Sequence, residues 1–253
     1  MIASSMKQIR AAYRMVLFFV STLGLYYFWW ATRIFVRDKL VWRQTTFHNW
    51  TSSFVRISHM KIETVGMAPQ PPFFLVSNHL SYTDIGALRA VVKGVFVAKG
   101  EVQSWPLAGA ICRDMGTIFI DRQNRRDIPR AGKLIIERLD AGEGVIVFPE
   151  GTSTAGETVL PFNSSFLQFA AEIDMPVSYA AISYRVPEGE GPASTHVCWG
   201  EDISFFAHMW RLFKLTEYTA TVTFGDGPIV NHDRKRLAAE LRQHVADRFV
   251  PVL

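Results

Sequence analysis

Cysteine is scarce in this chain. Only Cys112 and Cys198 occur among 253 residues, their spacing does not match a metal site, and no secretory context accompanies them. The sequence therefore implies no disulfide framework, and it fits a reduced catalytic part that faces the cytoplasm. We expect both cysteines to be small residues of the core.

Other patterns are missing as well. The sequence contains no internal repeat, no low-complexity segment and no G-x-S-x-G motif, so it offers neither a repeat architecture nor a serine nucleophile elbow. At 49% hydrophobic composition, the chain can bury the core of one α/β domain plus an appendage.

Acidic residues are nearly absent from the first 66 positions. This range has nine Lys or Arg against two acidic residues, a net charge of +7, which leaves −3 for the remainder of a chain whose total is +4. A basic, aromatic-rich segment suits nucleic acid or anionic lipid. The uncharged run 15–32, between Arg14 and Arg33, favours lipid and argues against a nucleic-acid partner.

The run 15–32 is apolar on all faces and 18 residues long, which is the lower margin for a bilayer-spanning helix. Its aromatic cluster 26–30 suits the bilayer interface. No small-x-small pattern follows, which argues against a cleaved signal peptide. A buried core helix is the structural alternative. We expect membrane association and leave open whether the run spans the bilayer or enters one leaflet.

Residues 34–60 keep helical character, and two interpretations stay open. The helix is either amphipathic and interfacial or an ordinary helix packed on the domain. A proline-rich connecting loop, 67–72, follows it. We expect N-terminal membrane-inserting or interfacial helices over 1–66 and an α/β domain over 67–253.

From residue 73 onward, strand and helix patterns alternate. The alternation predicts an α/β fold with a mostly parallel, mixed sheet flanked by helices. Predicted strands cover 73–77, 95–98, 117–120, 144–148, 177–184, 195–199 and 219–224. Predicted helices cover 84–92, 128–139, 166–173 and 233–249.

Two candidate catalytic residues follow the first of these strands. His79 lies five positions before Asp84, and the helix start predicted at Asp84 can bring its carboxylate back to one imidazole nitrogen. The other nitrogen can then take a proton directly from a substrate hydroxyl, as in acyl-transfer sites. The alternative is structural: Ser81 and Asp84 also form a capping-box pattern, and His79 then is an ordinary turn residue.

Polar residues also follow two further strands. The block Pro149, Glu150, Gly151 and Thr152 closes the strand 144–148, and its backbone N–H groups can face an anionic or oxyanionic atom. An ordinary glycine turn is the alternative. Arg122 ends the strand 117–120 and is well shaped to bind phosphate. The run 122–126, which includes Arg122, can equally be a solvated loop, and Arg125 and Arg126 are interpreted in that way.

Taken together, these blocks resemble the glycerophospholipid acyltransferase family, specifically the 1-acylglycerol-3-phosphate acyltransferase type. The resemblance covers roughly residues 72–184. Its motifs are Asn78-His79 with Asp84, then 99–109 with 116–122, then 148–152, and finally 175–177 with the strand that ends at Tyr184.

The resemblance implies a function for each block. His79 would be the general base and Asp84 its orienting carboxylate, while Glu150, Gly151 and Arg122 would line the acceptor site. Lys99 would help to hold the acceptor phosphate, and Asn78 and Thr152 complete the expected substrate-binding residues. Backbone N–H groups around Gly151 are the candidate donors to the oxyanion.

The resemblance also implies the partners and the location. The donor would be acyl-CoA or an acyl-acyl-carrier-protein acting as co-substrate, with no metal and no other cofactor. The acceptor would be a lysophospholipid drawn from membrane lipids. We expect the protein at the inner (cytoplasmic) membrane, with its catalytic domain facing the cytoplasm.

Two departures concern the acceptor head group. Ser153 stands where the family commonly has arginine, and Asn163-Ser164-Ser165 replaces a later lysine-containing pattern. Both changes remove positive charge. We expect acylation of 1-acylglycerol-3-phosphate to phosphatidic acid. The alternatives are the same chemistry on another lysolipid, such as a lyso-aminolipid, or a catalytically silent lipid-binding protein of the same fold.

Overall fold

The computed structural model describes residues 2–121, 127–200 and 203–252. Two long helices begin the chain, α1 over Ile2–Thr32 and α2 over Lys39–Ser58. The Asp38 carboxylate starts α2, because it accepts a hydrogen bond of 2.9 Å from the Val41 amide, a donor that would otherwise be unpaired.

A seven-stranded mixed sheet forms the centre of the fold, in the order β1-β7-β6-β2-β5-β3-β4. Its strands are β1 Met60–Val65, β2 Phe73–Ser77, β3 Gly94–Lys99, β4 Ile118–Ile120, β5 Gly144–Val147, β6 Val177–Arg185 and β7 Tyr218–Phe224. Neighbouring strands are parallel except β6 and β7, which are antiparallel. This architecture confirms the predicted α/β class with a mostly parallel sheet.

Helices cover both faces of the sheet. After α1 and α2 these are α3 Thr83–Val91, α4 Ala108–Asp114, α5 Asp127–Asp140, α6 Gln168–Glu172, α7 Ala193–His196, α8 Phe205–Lys214 and α9 Arg234–Arg248. Successive residues of β2 point to opposite faces: Phe73 and Leu75 pack in one core cluster with α2, α3 and α8, while Phe74 and Val76 pack in the other with α5 and α9. The sequence of a strand that is buried on both faces is a continuous apolar run, and β2 shows this pattern.

The structure corrects one predicted strand and adds elements. Residues 195–199 were expected to form a strand, but α7 ends at His196 and the amides of Val197 and Cys198 bond back to the Ala193 carbonyl. Those amides are therefore not free to pair in a sheet. Strand β1 and helices α4 and α8 were not predicted from the sequence. Strand β1 lies inside the range 1–66 and pairs in parallel with β7.

Helix α1 contacts the rest of the protein along its whole length. Near its start Lys7 forms an ion pair of 2.9 Å with Glu190, and near its end Tyr26 donates to Asp114 at 2.8 Å. Residues Ser4–Thr32 are long and apolar enough to cross a membrane, a criterion of length and composition alone.

Helix α2 packs on the domain. Its buried residues Thr46, Phe47, Thr51, Phe54 and Ser58 recur at helical spacing and face α3 and the core. Of the two interpretations of residues 34–60, the structure therefore matches the packed helix. The division of the chain at residue 66 stays a prediction.

Candidate active site

The site lies where adjacent parallel strands end. Strands β2, β5 and β3 run side by side, so their carboxyl ends meet at one edge of the sheet. His79 follows β2, Phe148 follows β5 and Lys99 ends β3. These three residues line one cavity of about 340 Å³, which we call the site cavity. Crevices at this edge are the usual ligand sites of open α/β sheets.

His79 and Asp84 are in direct contact. The Asp84 Oδ2 atom lies 2.7 Å from His79 Nδ1, and it also accepts hydrogen bonds from the backbone amides of Leu80 and Ser81 at 2.7 and 3.0 Å. Both meanings of the sequence pattern therefore hold at once: the carboxylate fixes the turn before α3 and also binds the imidazole.

The contact with Asp84 defines the tautomer of His79. An ionised carboxylate only accepts hydrogen bonds, so Nδ1 carries the proton and Nε2 has a free lone pair. The ring stacks on Phe148 with centroids 4.2 Å apart. Asp84 is fully buried, whereas 22% of the His79 side chain is exposed. The imidazole can therefore contact a substrate while the Asp84 carboxylate is shielded from solvent.

Glu150 makes contacts that differ from the predicted substrate binding. Its Oε1 accepts the His79 amide at 2.8 Å and its Oε2 accepts the Leu160 amide at 3.0 Å. Burial raises the pKa of this carboxyl from its ordinary 4.5 to about 7, although the two amides act in the opposite direction. The carboxyl group thus links the His79 turn to the loop after β5.

The predicted oxyanion donors also need refinement. The Gly151 amide already donates to the Phe148 carbonyl at 3.0 Å, in a turn that needs the positive φ of 71° that glycine tolerates. Over the described ranges, no acceptor pairs with the Thr152 amide. Gly151 and Thr152 both line the site cavity.

The remaining predicted binding residues fall into three situations. Lys99 lines the site cavity. Asn78 is buried, and its side-chain amide bonds in both directions to the backbone of Ile182 at 2.9 and 2.7 Å, so it extends the β2–β6 pairing. Arg122 lies outside the described residues, as do Arg125 and Arg126. A substrate-binding role for these residues stays a prediction.

Trp199 is a site residue that the sequence analysis missed. Its amide donates to the Leu80 carbonyl at 2.8 Å, and its own carbonyl accepts the Ser153 hydroxyl at 2.5 Å. The residue therefore joins the turn after β2 to the loop after β5. A tryptophan at the end of a predicted strand gave no sequence signal, because both bonds use main-chain atoms of Trp199.

The comparisons with known proteins agree with this geometry. The family model named Acyltransferase matches residues 59–183. Lyso-ornithine lipid O-acyltransferase of Pseudomonas aeruginosa is 32% identical over 80% of this chain and 78% of its own length. The chain belongs to the glycerophospholipid acyltransferase family.

Two further comparisons agree with this family. The 1-acyl-sn-glycerol-3-phosphate acyltransferase of Neisseria gonorrhoeae is 33% identical over 62% of this chain and 61% of its own length. The crystal structure of the 1-acyl-sn-glycerophosphate (LPA) acyltransferase of Thermotoga maritima matches 95% of this chain and 97% of that one, with a TM-score of 0.67 and 22% identity. That likeness shows the fold.

The acyltransferase has a second, apolar cavity beside its site. It has a volume of about 510 Å³ and is lined by residues of α1, α2, α3, α4 and α8 together with Trp199. The two cavities share a wall that includes Tyr82, Trp105 and Trp199. We call this second space the apolar cavity.

His208 contacts residues of the wall that the two cavities share. Its Nε2 lies 2.9 Å from the Cys198 carbonyl and its Nδ1 lies 3.1 Å from the Tyr82 hydroxyl. Burial lowers the pKa of His208 to about 4, so the ring is neutral, and it donates to the carbonyl and accepts from the phenol.

Metal ligands form no cluster in the part of the acyltransferase that the structure describes: no group of three or more His, Cys, Asp or Glu side chains is arranged to hold an ion. The free thiols of Cys112 and Cys198 have raised pKa values, caused first by burial.

Proposed function

We propose that this acyltransferase moves a fatty acyl group from an acyl thioester to the free hydroxyl of a lysolipid, with His79 as the general base. The observation that carries the proposal is the 2.7 Å contact between the buried Asp84 and Nδ1 of His79, a residue that lines the site cavity. It leaves Nε2 as the nitrogen that can take a proton.

The proposed reaction needs no covalent enzyme intermediate. The acceptor oxygen attacks the thioester carbonyl carbon while its proton moves to Nε2. The C–S bond of the tetrahedral intermediate then breaks, and the leaving thiolate takes the proton from Nε2. Asp84 stabilises the imidazolium between the two steps. The Thr152 amide, for which the described residues provide no acceptor, is our candidate donor to the oxyanion. Acyl-CoA and acyl-acyl-carrier-protein both supply such a thioester.

We assign the acyl chain to the apolar cavity. Its volume of about 510 Å³ falls within the usual range of ligand pockets, and its lining is almost entirely hydrocarbon and aromatic. The apolar cavity adjoins the site cavity, because residues such as Tyr82, Trp105 and Trp199 line both, so a chain held there would end close to the space that His79 lines.

For the acceptor head group, a zwitterionic lysolipid of the lyso-ornithine type fits best. Lys99 is the one lysine or arginine among the described residues that line the site cavity. Ser153, in the position that the family commonly gives to arginine, is neutral and bonded to Trp199. A phosphate with close to two negative charges would find too few cationic side chains there to neutralise it. A zwitterionic head group needs fewer, because its own ammonium balances its negative charge. The Pseudomonas relative is named for a lyso-ornithine acceptor.

1-Acylglycerol-3-phosphate is the second candidate acceptor. Arg122 in the sequence and the Neisseria relative, which is named for that substrate, both favour it. The product would then be phosphatidic acid.

We also propose that the protein attaches to one leaflet of the cytoplasmic membrane, with the domain on the cytoplasmic side. Side chains near the end of α1, such as Trp30 and Phe35, are 55% and 80% exposed. Arg14 is buried and donates to the carbonyls of Phe213 and Leu215 at the end of α8. A helix held to the domain in this way suits the interface better than a crossing.

One set of experiments tests these proposals. Purified protein in detergent is given labelled acyl donor and both lysolipids, beside His79→Ala. We expect acylation by the parent that the variant lacks; equal activity of the two proteins would refute the role of His79.

Ser153→Arg should raise the preference for 1-acylglycerol-3-phosphate at least about tenfold, the effect of one good charge pair. Thr158→Arg adds the same charge at an exposed position outside the cavity and serves as control.

Membrane attachment is tested by flotation with anionic vesicles. Trp30→Ser combined with Phe35→Ser should reduce flotation, whereas Val65→Ser, which removes a 53% exposed apolar side chain from β1, should not. Equal flotation of all three proteins would argue against an anchor on α1.

A further inference from the structure

The two oxygens of the Asp84 carboxylate have different partners. Oδ2 binds the imidazole of His79 and the amides of Leu80 and Ser81. Oδ1 accepts one hydrogen bond, from the hydroxyl of Tyr184, at 2.6 Å. Tyr184 is only 5% exposed and lies on β6, a hundred positions from Asp84 in sequence.

The direction of the Tyr184 hydrogen bond is fixed by its neighbour. Thr83 donates its hydroxyl proton to the Tyr184 oxygen at 2.9 Å, so the phenol proton points to Asp84. Burial, followed by the charge of Asp84, raises the pKa of Tyr184 well above its usual 10, so the phenol keeps its proton at neutral pH. Thr83, Tyr184, Asp84 and His79 form one chain of donors and acceptors.

We propose that Tyr184 is a positioning residue for the His79–Asp84 pair. This inference rests on the proposed role of His79 as general base. The Tyr184 hydroxyl fixes the plane of the carboxylate, so that Oδ2 and not Oδ1 faces the imidazole, and it disperses part of the carboxylate charge. Strand β6 is itself held beside β2 through Asn78 and Ile182, so the phenol approaches Asp84 from a rigid element.

The other titratable groups around the pair have different contacts. Within the His79–Asp84 pair, Glu150 contacts the backbone amide of His79 and neither side chain, and the Tyr82 hydroxyl bonds to His208. The Tyr218 ring is 6.1 Å from that of Tyr184, but its hydroxyl donates to Ser58 at 3.1 Å. Cys198 and Glu150 lie close enough for the charge of Asp84 to raise their pKa values, yet neither bonds to it in the described structure.

Tyr218 therefore provides a matched control. Tyr184→Phe and Tyr218→Phe each delete one buried hydroxyl from neighbouring rings, and only the first deletes a bond to Asp84. For Tyr184→Phe we expect kcat to fall about tenfold with acceptor KM nearly unchanged, as for the loss of one hydrogen bond to a charged group. The acid limb of kcat/KM should move to higher pH, because an undispersed carboxylate favours the imidazolium more.

Tyr218→Phe should retain the parent's kcat and pH profile while losing a similar amount of thermal stability. If the two variants match in kcat and in the acid limb, or if Tyr184→Phe changes only stability, Tyr184 is a packing residue and the proposal is refuted.

A measurement without substrate separates this proposal from the proposed function. The His79 Nδ1–H proton, in a 2.7 Å bond to a carboxylate, should give a low-field NMR signal in ¹⁵N-histidine-labelled protein in micelles, identified by its loss in His79→Ala. Tyr184→Phe should displace this signal and Tyr218→Phe should not. An unmoved signal refutes the positioning role even if the protein acylates lysolipids. A displaced signal supports it even if none of the tested acceptors is acylated.

Discussion

Replacement of Glu150 by glutamine tests what this buried carboxyl group does. Each of its oxygens accepts a backbone amide, and burial raises its pKa from 4.5 to about 7. Between these pH values the folded chain holds a proton that the unfolded chain has released. The stability that comes from this group is therefore fully present below pH 4.5 and is lost as the pH rises through about 7.

The size of the effect follows from the two pKa values. The raised value of about 7 and the ordinary 4.5 differ by roughly 2.5 pH units, each of which corresponds to about 1.4 kcal/mol, so the parent should lose ~3 kcal/mol of stability between pH 4 and pH 8. Glu150→Gln cannot ionise and should not show this loss. Its NH₂ group cannot accept an amide, which costs about 1 kcal/mol at every pH.

The assay is thermal unfolding in detergent across this pH range. For a chain of this size, ~3 kcal/mol corresponds to about 6–12 °C, so the parent should lose that much Tm relative to Glu150→Gln between pH 4 and pH 8. Glu137→Gln on the surface of α5, where the carboxylate is 55% exposed, should follow the parent. Parallel curves for the parent and Glu150→Gln would refute the assignment of a raised pKa to this group.

Two further predictions concern contacts that hold the N-terminal helices to the domain. Gly116→Ala would place a Cβ against the guanidinium of Arg43 at a φ of +92°, so the guanidinium must shift from its place beside Glu143, and the loss of stability should exceed that of Gly142→Ala. Gly142→Ala, at φ +78° in open space, should cost about 1–2 kcal/mol in the same denaturation assay. Arg14→Ala removes the donor that pairs the last carbonyls of α8, so we expect a loss of about 2–3 kcal/mol and faster protease cleavage of α1; unchanged cleavage would contradict this.

Much of the fold could be predicted from local patterns. Strands such as β2 and β5 are continuous apolar runs bounded by turn residues, and α9 has a regular apolar stripe, so their periodicity is visible in the sequence. Helix α8 and strand β1 were missed because they are short or adjoin a long helix, and their assignment depends on partners far along the chain. The strand predicted at 195–199 was wrong because Thr195 and Val197 are β-branched but their segment makes a helical turn.

The candidate site was predictable where a motif carries it. His79 and Asp84 are close in sequence, so a turn that brings them together can be inferred from spacing. Ser153 and Trp199, or Asp84 and Tyr184, are separated by 46 and 100 positions, and no pattern links them. The roles expected for Asn78 and Glu150 were inferred from a motif, whereas the contacts they make depend on Ile182 and Leu160.

Local patterns are sufficient to predict the α/β class and to identify a histidine and an aspartate as candidate partners at a strand end. Periodicity and short spacing are properties of neighbouring residues, so they can be recognised in the sequence without a structure. The long-range contacts of the folded chain establish which carboxylate oxygen faces the imidazole, which amides near Gly151 are already paired, and which aromatic residues line both cavities. Each of these depends on the register of strands that are distant in sequence, and a shift of one residue would turn the same side chains to the opposite face.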